Sequence, residues 1–449
     1  MTEHARSPST RRLHQFARAA LGSLPRDTRF ALYRRMIDCN PAPDTRLTFG
    51  IATTEQELEA CFALLHDAYV GSGFMKPDPS GLRVTPYHAL PTTTTLFARF
   101  DGRIIGTLSI IREGVFGLPL QSVFDLTAVR AQGGRIAEIS ALAIHPRFRK
   151  TGGTILFPLM KFMYEYCTRY FDTRHLVIAV NPRHIEMYES LLFFQRLQEQ
   201  IVANYDFVNG APAVGATLDL KAAPEIFRVA YEGRRPQRNL HHYFTQVSLP
   251  NIHFPERPYY TTNDPVMSPA LLDHFFNRRT RVFDQIDERR RRLLHSIYPE
   301  QGYCDVLPPA PDAPAQAAPL RRHRRYSLKC PARLEIVKDG LQTVALEVVD
   351  ASRHGFLARA TATLPERLRG VVCVQLGEGR IATEEAVVVR AIGAEGGPYY
   401  GFRIEAPDQA WQQCITDLEV RDAPPGAVRR MRAIEAPRDD WSVHDALVA

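Results

Sequence analysis

Residues 137–156 read AEISALAIHPRFRKTGGTIL, and this stretch decides the fold of the first half of the chain. An apolar strand ends at Ile144, passes through His145-Pro146 into a basic, glycine-bearing turn, and enters a helix. Backbone N–H groups at such a helix start form a pocket for a phosphate or pyrophosphate, with Arg147, Arg149 and Lys150 beside them. Gly152 and Gly153 allow a ligand close to the backbone. Inside the strand, Glu138 stands among apolar neighbours, where a carboxylate is costly unless it has a partner or a task. A place on an exposed strand face, or a pairing with an arginine, is the plainer reading of the same residue.

Outward from this stretch the pattern alternates. A helix begins at Thr54, with Glu57 completing a capping box, and runs toward Tyr69. Strands are predicted over residues 95–100 and Arg103–Arg112, joined by the hairpin signal Asp101-Gly102, and over 136–144. A helix over 153–171 comes next, and Pro158 near its start makes it kink there or begin later. A strand over 175–180 and a helix over 183–192 complete a mixed α/β sheet unit. Residues 223–303 read as mainly helical. Ser268-Pro269 marks a helix start, and Phe283, Ile286, Leu293 and Ile297 continue it at helical spacing.

Residues 308–319 read PPAPDAPAQAAP, a stretch with five prolines that favours an extended spacer over a packed core. The chain beyond residue 319 has the pattern of a separate unit. Short Val- and Ile-rich runs at Tyr326–Val337, 343–349, 371–376, 382–391 and Tyr399–Ile404 predict a small antiparallel β-barrel, with a closing helix over 408–420.

Composition fits this plan. With 449 residues, the chain is too long for one ordinary core. The apolar share of 45% and charged share of 23% are those of a globular protein. No run of about 18 uncharged apolar residues exists, so no membrane span is expected. Seven scattered cysteines, never in CxxC spacing, argue against a disulfide framework or a metal site and for a cytoplasmic setting. The net charge of +7 suits an anionic partner without choosing one.

The loop after Ile144 resembles the acyl-donor loop of GNAT-type N-acyltransferases, with Arg149 and Gly152 in place and Thr154 where the family has Gly or Ala. The run from Asn181 to Phe193, NPRHIEMYESLLF, resembles the next GNAT segment, in which an Asn ends a strand and a Tyr stands seven residues on. The string NPRHIEMY, the segment His66-Asp67-Ala68-Tyr69-Val70 and the segment Phe275-Phe276-Asn277-Arg278 are similar to FeeM-type long-chain N-acyl amino acid synthases, over residues 48–298. The resemblance implies a fatty acyl thioester, on acyl carrier protein or CoA, transferred to the amine of an amino acid. It places Tyr188 as the acid at the thiol, while the position of Glu138 in an apolar strand makes it, or a water, the group that takes the amine's proton. Arg147, Arg149, Gly152, Gly153 and Asn181 would hold the donor. His145 and His184 are secondary candidates that orient the loop. Phe157, Met160, Phe162, Met163 and Tyr164 are channel lining or plain core.

After the proline stretch, Arg321 and Arg325 give RxxxR, with Arg322 between them, and Asp350, Ser352 and Gly355 give DxSxxG. This pair resembles the signature of PilZ domains, which implies binding of cyclic di-GMP. Guanidinium groups suit its phosphates and guanine edges.

The expected organisation is an N-terminal helical arm (1–47), a GNAT-like domain (48–222), a helical extension (223–307), the linker (308–319), a PilZ barrel (320–425) and a tail (426–449). The basic N-terminal stretch lies on a membrane surface or packs as an arm over the domain. The arginine run at 289–292 lies on an amphipathic helix and reads as a solvated face or a docking site for a carrier protein, so no nucleic-acid partner is expected. Three rival readings stand beside the synthase: an acyl-homoserine lactone synthase, a short-chain acetyltransferase, and a catalytically dead adaptor that responds to cyclic di-GMP.

Overall fold

The computed structural model describes residues 24–149, 153–298, 301–309, 324–337, 341–392 and 398–422. Lys150, Gly152, Arg321 and Arg322, most of the arm and linker, and the tail lie outside them.

Eight strands form the first sheet: β1 (Leu47–Ile51), β2 (Thr93–Phe100), β3 (Arg103–Arg112), β4 (Arg135–Ile144), β5 (Thr173–Val180), β6 (Gln195–Arg196), β7 (Val202–Tyr205) and β8 (Ala211–Asp219). Their order is β1-β2-β3-β4-β5-β8-β6, with β7 also pairing β8. The pair β4–β5 is parallel and the other pairs are antiparallel, which makes the sheet mixed and GNAT-like.

Local chemistry explains the flanking helices. Helix α2 (Glu55–Ser72) comes after helix α1 (Arg26–Arg35), and the Thr54 and Glu57 side chains form the expected capping box at its start. Helix α3 begins only at Leu156 and runs to Arg169, which leaves Pro158 in its first turn, where the missing N–H costs nothing. Helix α4 (Ile185–Leu192) packs against α1 through the ion pairs Arg26–Glu189, 2.8 Å, and Arg29–Glu186, 2.5 Å, so the described part of the N-terminal arm covers the domain. Two hydrophobic cores occupy the two faces of the sheet. One lies under α3, α4, α5 (Ala223–Ala230) and α6 (Leu240–Thr245), and the other lies under α2 and the segment 266–307.

That segment corrects one expectation. The single helix predicted from Ser268 through Ile297 is broken. Ser268 caps a short helix at Pro269–Leu272 as expected, and a wide π-helical stretch, Asp273–Arg279, continues from it. Arg281 then turns left-handed, with φ 53°, and Asp287 caps a new helix, α7 (Glu288–Ile297). An N-cap carboxylate inside an otherwise helical apolar pattern marks a boundary that periodicity alone does not see.

The C-terminal unit is a closed six-stranded barrel with a core of its own. Its strands are β9 (Tyr326–Val337), β10 (Leu341–Ser352), β11 (Gly355–Ala360), β12 (Arg369–Gly377), β13 (Arg380–Ile392) and β14 (Tyr399–Ile404). Helix α8 (Gln409–Asp422) closes one end, with Trp411 buried among the strands. Strand β11 is not predicted from the sequence, because Gly355 and its alanines dilute its pattern.

The barrel is docked on the first domain by main-chain pairing. β9 and β12 pair only from Glu335↔Val371 to Ala332↔Val374, which leaves the beginning of β9 without β12 beside it. Residues 260–262 lie in that gap. The Tyr260 N–H donates to Leu376 O, the Lys329 N–H to Tyr260 O, and the Thr262 N–H to Ser327 O, at 2.9–3.0 Å. Tyr259 is buried in the barrel core, and its hydroxyl donates to Asp417 of α8 at 2.6 Å. The same segment is fixed to the first domain by a buried polar cluster. Arg257 reaches Asp264 and the Tyr166 hydroxyl, each at 2.5 Å, and Arg112 donates to the Thr262 carbonyl at 3.2 Å.

Candidate functional site

The site grows from a split in the first sheet. β4 and β5 stay paired only as far as Glu138↔Val177, although β4 runs on to Ile144 and β5 to Val180. The pairing of β4 with β3 is interrupted in the same place. Thr107 faces Ala143 and Ser109 faces Ser140, which leaves Ala141 and Leu142 as a bulge. Ala141 is left-handed, with φ 55°, a conformation costly for a residue with a side chain and concentrated at functional positions. The bulge takes backbone groups out of the ladder, and the Ala141 backbone is hydrogen-bonded to the Tyr69 side chain.

A cavity of about 460 Å³ fills that opening. Leu142, Ile144, Ile178 and Val180 form its strand walls, and Met160, Met163 and Tyr164 reach it from α3. It continues past Leu218 and Leu220 to Ala223 and Phe227 on α5 and His241 and Phe244 on α6. Its lining is mostly apolar, with a few polar groups at one end. This is the composition of a site that encloses a hydrophobic ligand and orients its reactive part. Phe157 and Phe162, the other two channel candidates, are core residues.

Of the sequence-selected residues, Arg149, Asn181, His184 and Tyr188 line the cavity, whereas Glu138, Arg147 and Gly153 do not. Asn181 ends β5; its side chain accepts from the Arg183 N–H at 3.1 Å and its carbonyl from the His184 N–H, a turn that starts α4 and aims Tyr188 at the cavity. Burial pushes the Tyr188 phenol up to about 12, so the group is protonated near neutral pH. Arg149 lines the cavity mouth, and its Nε donates to the Ile144 carbonyl at 2.7 Å. Gly153 is left-handed, with φ 91°, and the Phe157 ring lies where a Cβ would be, 2.3 Å away, so only glycine fits. Arg147 is exposed and does not line the cavity. The His145 ring accepts from the Arg147 N–H, which fits a loop-orienting role, and exposed His184 lies on the cavity wall.

Glu138 is only 2% exposed and sits just before the bulge. Burial lifts its carboxyl to about 8, against the opposing hydrogen bond that the Leu120 N–H donates to Oε2 at 2.9 Å. No arginine pairs with it among the described residues. Tyr69, Tyr87 and Tyr205 surround it within electrostatic reach. Of these, Tyr69 lies in a string quoted for the family resemblance, whereas Tyr87 and Tyr205 carry no sequence signal. The far end of the cavity was also hidden, since nothing local marks Leu218, Ala223 and Phe227 as neighbours of the α3 residues.

In the barrel, Arg325 forms an ion pair with Asp350, its Nη1 donating to both carboxylate oxygens at 3.1 Å. The DxSxxG stretch is the turn between β10 and β11. The Ser352 hydroxyl donates to the Gly355 carbonyl at 3.0 Å, and the Trp411 indole N–H donates to the Ser352 carbonyl at 3.0 Å. A Cβ on Gly355 would lie 2.4 Å from the Phe402 carbonyl oxygen, so the close strand approach requires glycine here.

Residues 60–219 match the family model described as N-acyl amino acid synthase FeeM. Among solved structures, FeeM, an N-acyl amino acid synthase from uncultured soil microbes, is 24% identical. The match covers 40% of this chain and 95% of that one, with a TM-score of 0.35. BjaI, a CoA-dependent acyl-homoserine lactone synthase, is 18% identical over 47% of this chain and 95% of its own, with a TM-score of 0.34. The yncA protein of Salmonella typhimurium, a putative acetyltransferase solved with its cofactor acetyl-CoA, is 16% identical over 39% and 95%, with a TM-score of 0.29. No curated protein matched the chain. With the family match over its first domain, the chain is an acyltransferase. No helix among the described residues is long and apolar enough to cross a membrane.

Proposed function

We propose that this acyltransferase joins a long-chain fatty acyl group to the amine of an amino acid, and that its C-terminal barrel is a PilZ domain that binds cyclic di-GMP. The observation that carries the first part is the cavity in the β4–β5 split, which runs from Tyr188 to Phe227 and Phe244 between apolar walls. A tail burying about 0.8 kcal/mol per methylene finds its length there, while an acetyl group would leave most of the volume empty. The donor is a thioester on acyl carrier protein or CoA, with Arg149 and Asn181 on the cavity wall and Gly152, Gly153 and Arg147 in the adjoining loop.

The reaction needs no group beyond these. The acceptor nitrogen attacks the thioester carbonyl carbon, an N–C bond forms, and the nitrogen's proton passes to Glu138 directly or through water. A backbone amide of the bulge at Ala141–Leu142 would meet the carbonyl oxygen as it gains charge. The C–S bond then breaks, and the departing sulfur takes a proton from Tyr188. A carboxyl with its pKa near 8 is a stronger base than an ordinary glutamate and is ionised in part at neutral pH.

For the barrel, Arg325, Asp350, Ser352 and Gly355 stand together at one edge, at the foot of β9 and the β10–β11 turn. The ligand's anionic phosphates would draw Arg325 away from Asp350, with Arg321 and Arg322 joining from the preceding arm. Closure of that arm on the barrel would regulate the acyltransferase through the docked segment.

Mass spectrometry of lipids from cells expressing the full chain or its Glu138→Gln variant tests the activity. New N-acyl amino acids confined to the intact protein support it, acyl lactones redirect it, and no new lipid with cyclic di-GMP elevated overturns it. Calorimetric titration of cyclic di-GMP into the full chain and its Arg325→Ala variant tests the barrel. Binding by the former alone supports it, and heatless titration of both overturns it.

A further inference from the structure

Arg83 is an arginine without an acid. It lies beyond the end of α2, its N–H donates to the Phe62 carbonyl at 3.1 Å, and its guanidinium lies over the Tyr69 ring at 4.2 Å and the Phe207 ring at 5.2 Å. One nitrogen, Nη2, donates to the Phe207 carbonyl at 2.8 Å. Among the described residues no carboxylate lies within ion-pair distance of it. Arg83 is half-buried, and desolvation weakens its hold on the proton against the opposing hydrogen bond with the Tyr69 hydroxyl. A guanidinium in this position is far more at ease with an anion beside it.

The neighbours do not supply that anion. His88 is buried and held neutral, its pKa pushed down to about 3 by burial and by the Arg83 charge, with Nδ1 accepting from the Thr85 N–H at 3.0 Å. Glu138, with its carboxyl lifted to about 8, is protonated over most of the neutral range. Tyr69 and Tyr205 line the cavity and lie within electrostatic reach of both Arg83 and Glu138. The Tyr205 hydroxyl is the second observation. The residue is 2% exposed, yet its hydroxyl has no hydrogen-bond partner among the described residues. The Tyr205 hydroxyl and the Arg83 guanidinium are donors of the kind a small anion takes.

We propose that Arg83 and Tyr205 seat the carboxylate of the acceptor amino acid, so that Arg83 restricts acceptors to amines that carry a neighbouring carboxylate. The inference rests on the amine-acylating reading of the site. With its carboxylate on Arg83 and Tyr205, an α-amino acid presents its nitrogen toward Glu138 and the bulge at Ala141. An uncharged amide of the same amino acid would leave the guanidinium desolvated and unpaired, and would be rejected for that reason.

The test uses the full chain, a long-chain acyl thioester of acyl carrier protein or CoA, and two acceptors: the common amino acid the wild type acylates fastest, and its carboxamide. For the wild type, the amino acid is favoured over the amide. Arg83→Met lowers kcat/KM for the amino acid by about a hundredfold, leaves KM for the thioester unchanged, and preserves turnover of the amide, so the preference collapses. Tyr205→Phe moves the same ratio in the same direction to a smaller extent. If Arg83→Met loses both acceptors, Arg83→Lys decides: retention of the preference with a raised acceptor KM supports the proposal, and equal loss on both acceptors overturns it. An unchanged preference in Arg83→Met overturns it while leaving the synthase reading intact. A wild type that acylates neither acceptor overturns both.

Discussion

The Leu120 amide donates a 2.9 Å hydrogen bond to Oε2 of Glu138, and it is the only polar contact that holds this carboxyl inside the protein among the described residues. One amide favours the charged form, while burial opposes it more strongly, and the balance leaves the pKa at about 8.

The rate should therefore depend on pH in a definite direction. A base must be unprotonated to act, so kcat/KM for the acceptor rises as pH climbs toward about 8 and levels off above it. Glu138→Gln should lower kcat/KM by about a hundredfold or more and abolish that limb of the profile. A wild-type profile flat between pH 6 and 9 would remove Glu138 from the proton path.

Tyr188 should matter in proportion to the leaving group. Its phenol keeps its proton near neutral pH, so Tyr188→Phe removes a donor at the cavity and lowers kcat by about a hundredfold. Replacing the donor with a thioester of a more acidic thiol should narrow the deficit, because that sulfur leaves without help. An equal deficit with both thioesters, measured by steady-state kinetics, argues for a packing role instead.

Acyl length should respond to the cavity's far end. Ala223→Leu inserts bulk beside Phe227 and should move the optimum to shorter chains, by a factor of about four in kcat/KM for each methylene excluded. Phe227→Ala should move it the other way. A series of acyl thioesters of graded length reads both shifts directly.

Which parts of this arrangement were legible in advance depends on the range of the interactions involved. The Thr54–Glu57 capping box, the strand at Arg103–Arg112 and the barrel strands Tyr326–Val337 and Tyr399–Ile404 stand where local pattern predicts them, since caps and alternation are written within a few residues. Glu138 was legible as a charge in an apolar run. Arg83 was not, because its unpaired state is a fact about distant neighbours such as Phe207. The break at Arg281–Asp287 escaped for the opposite reason: the apolar spacing continues across it, so periodicity outvoted an N-cap signal.

A second pH effect belongs to the barrel. Glu384 is fully buried and accepts from the Asp408 N–H at 3.2 Å, and burial raises its carboxyl to about 7. The native state thus binds this proton more tightly than the unfolded chain does. Its contribution to stability is complete below about pH 4.5 and is lost as pH rises through about 7. Thermal unfolding of the full chain should show a lower Tm at pH 8 than at pH 5, and Glu384→Gln should shrink that difference.

The segment 260–262 supplies the edge that β12 does not extend to along β9, and Tyr259 fills part of the barrel's interior. The C-terminal unit is therefore not a portable cassette. Cut at the proline-rich stretch and grafted onto another enzyme, it would carry a notch in its wall and a hole in its centre. A working transplant would have to bring residues 257–264 with it, and with them the polar anchor that ties Arg257 and Asp264 to Tyr166 of α3.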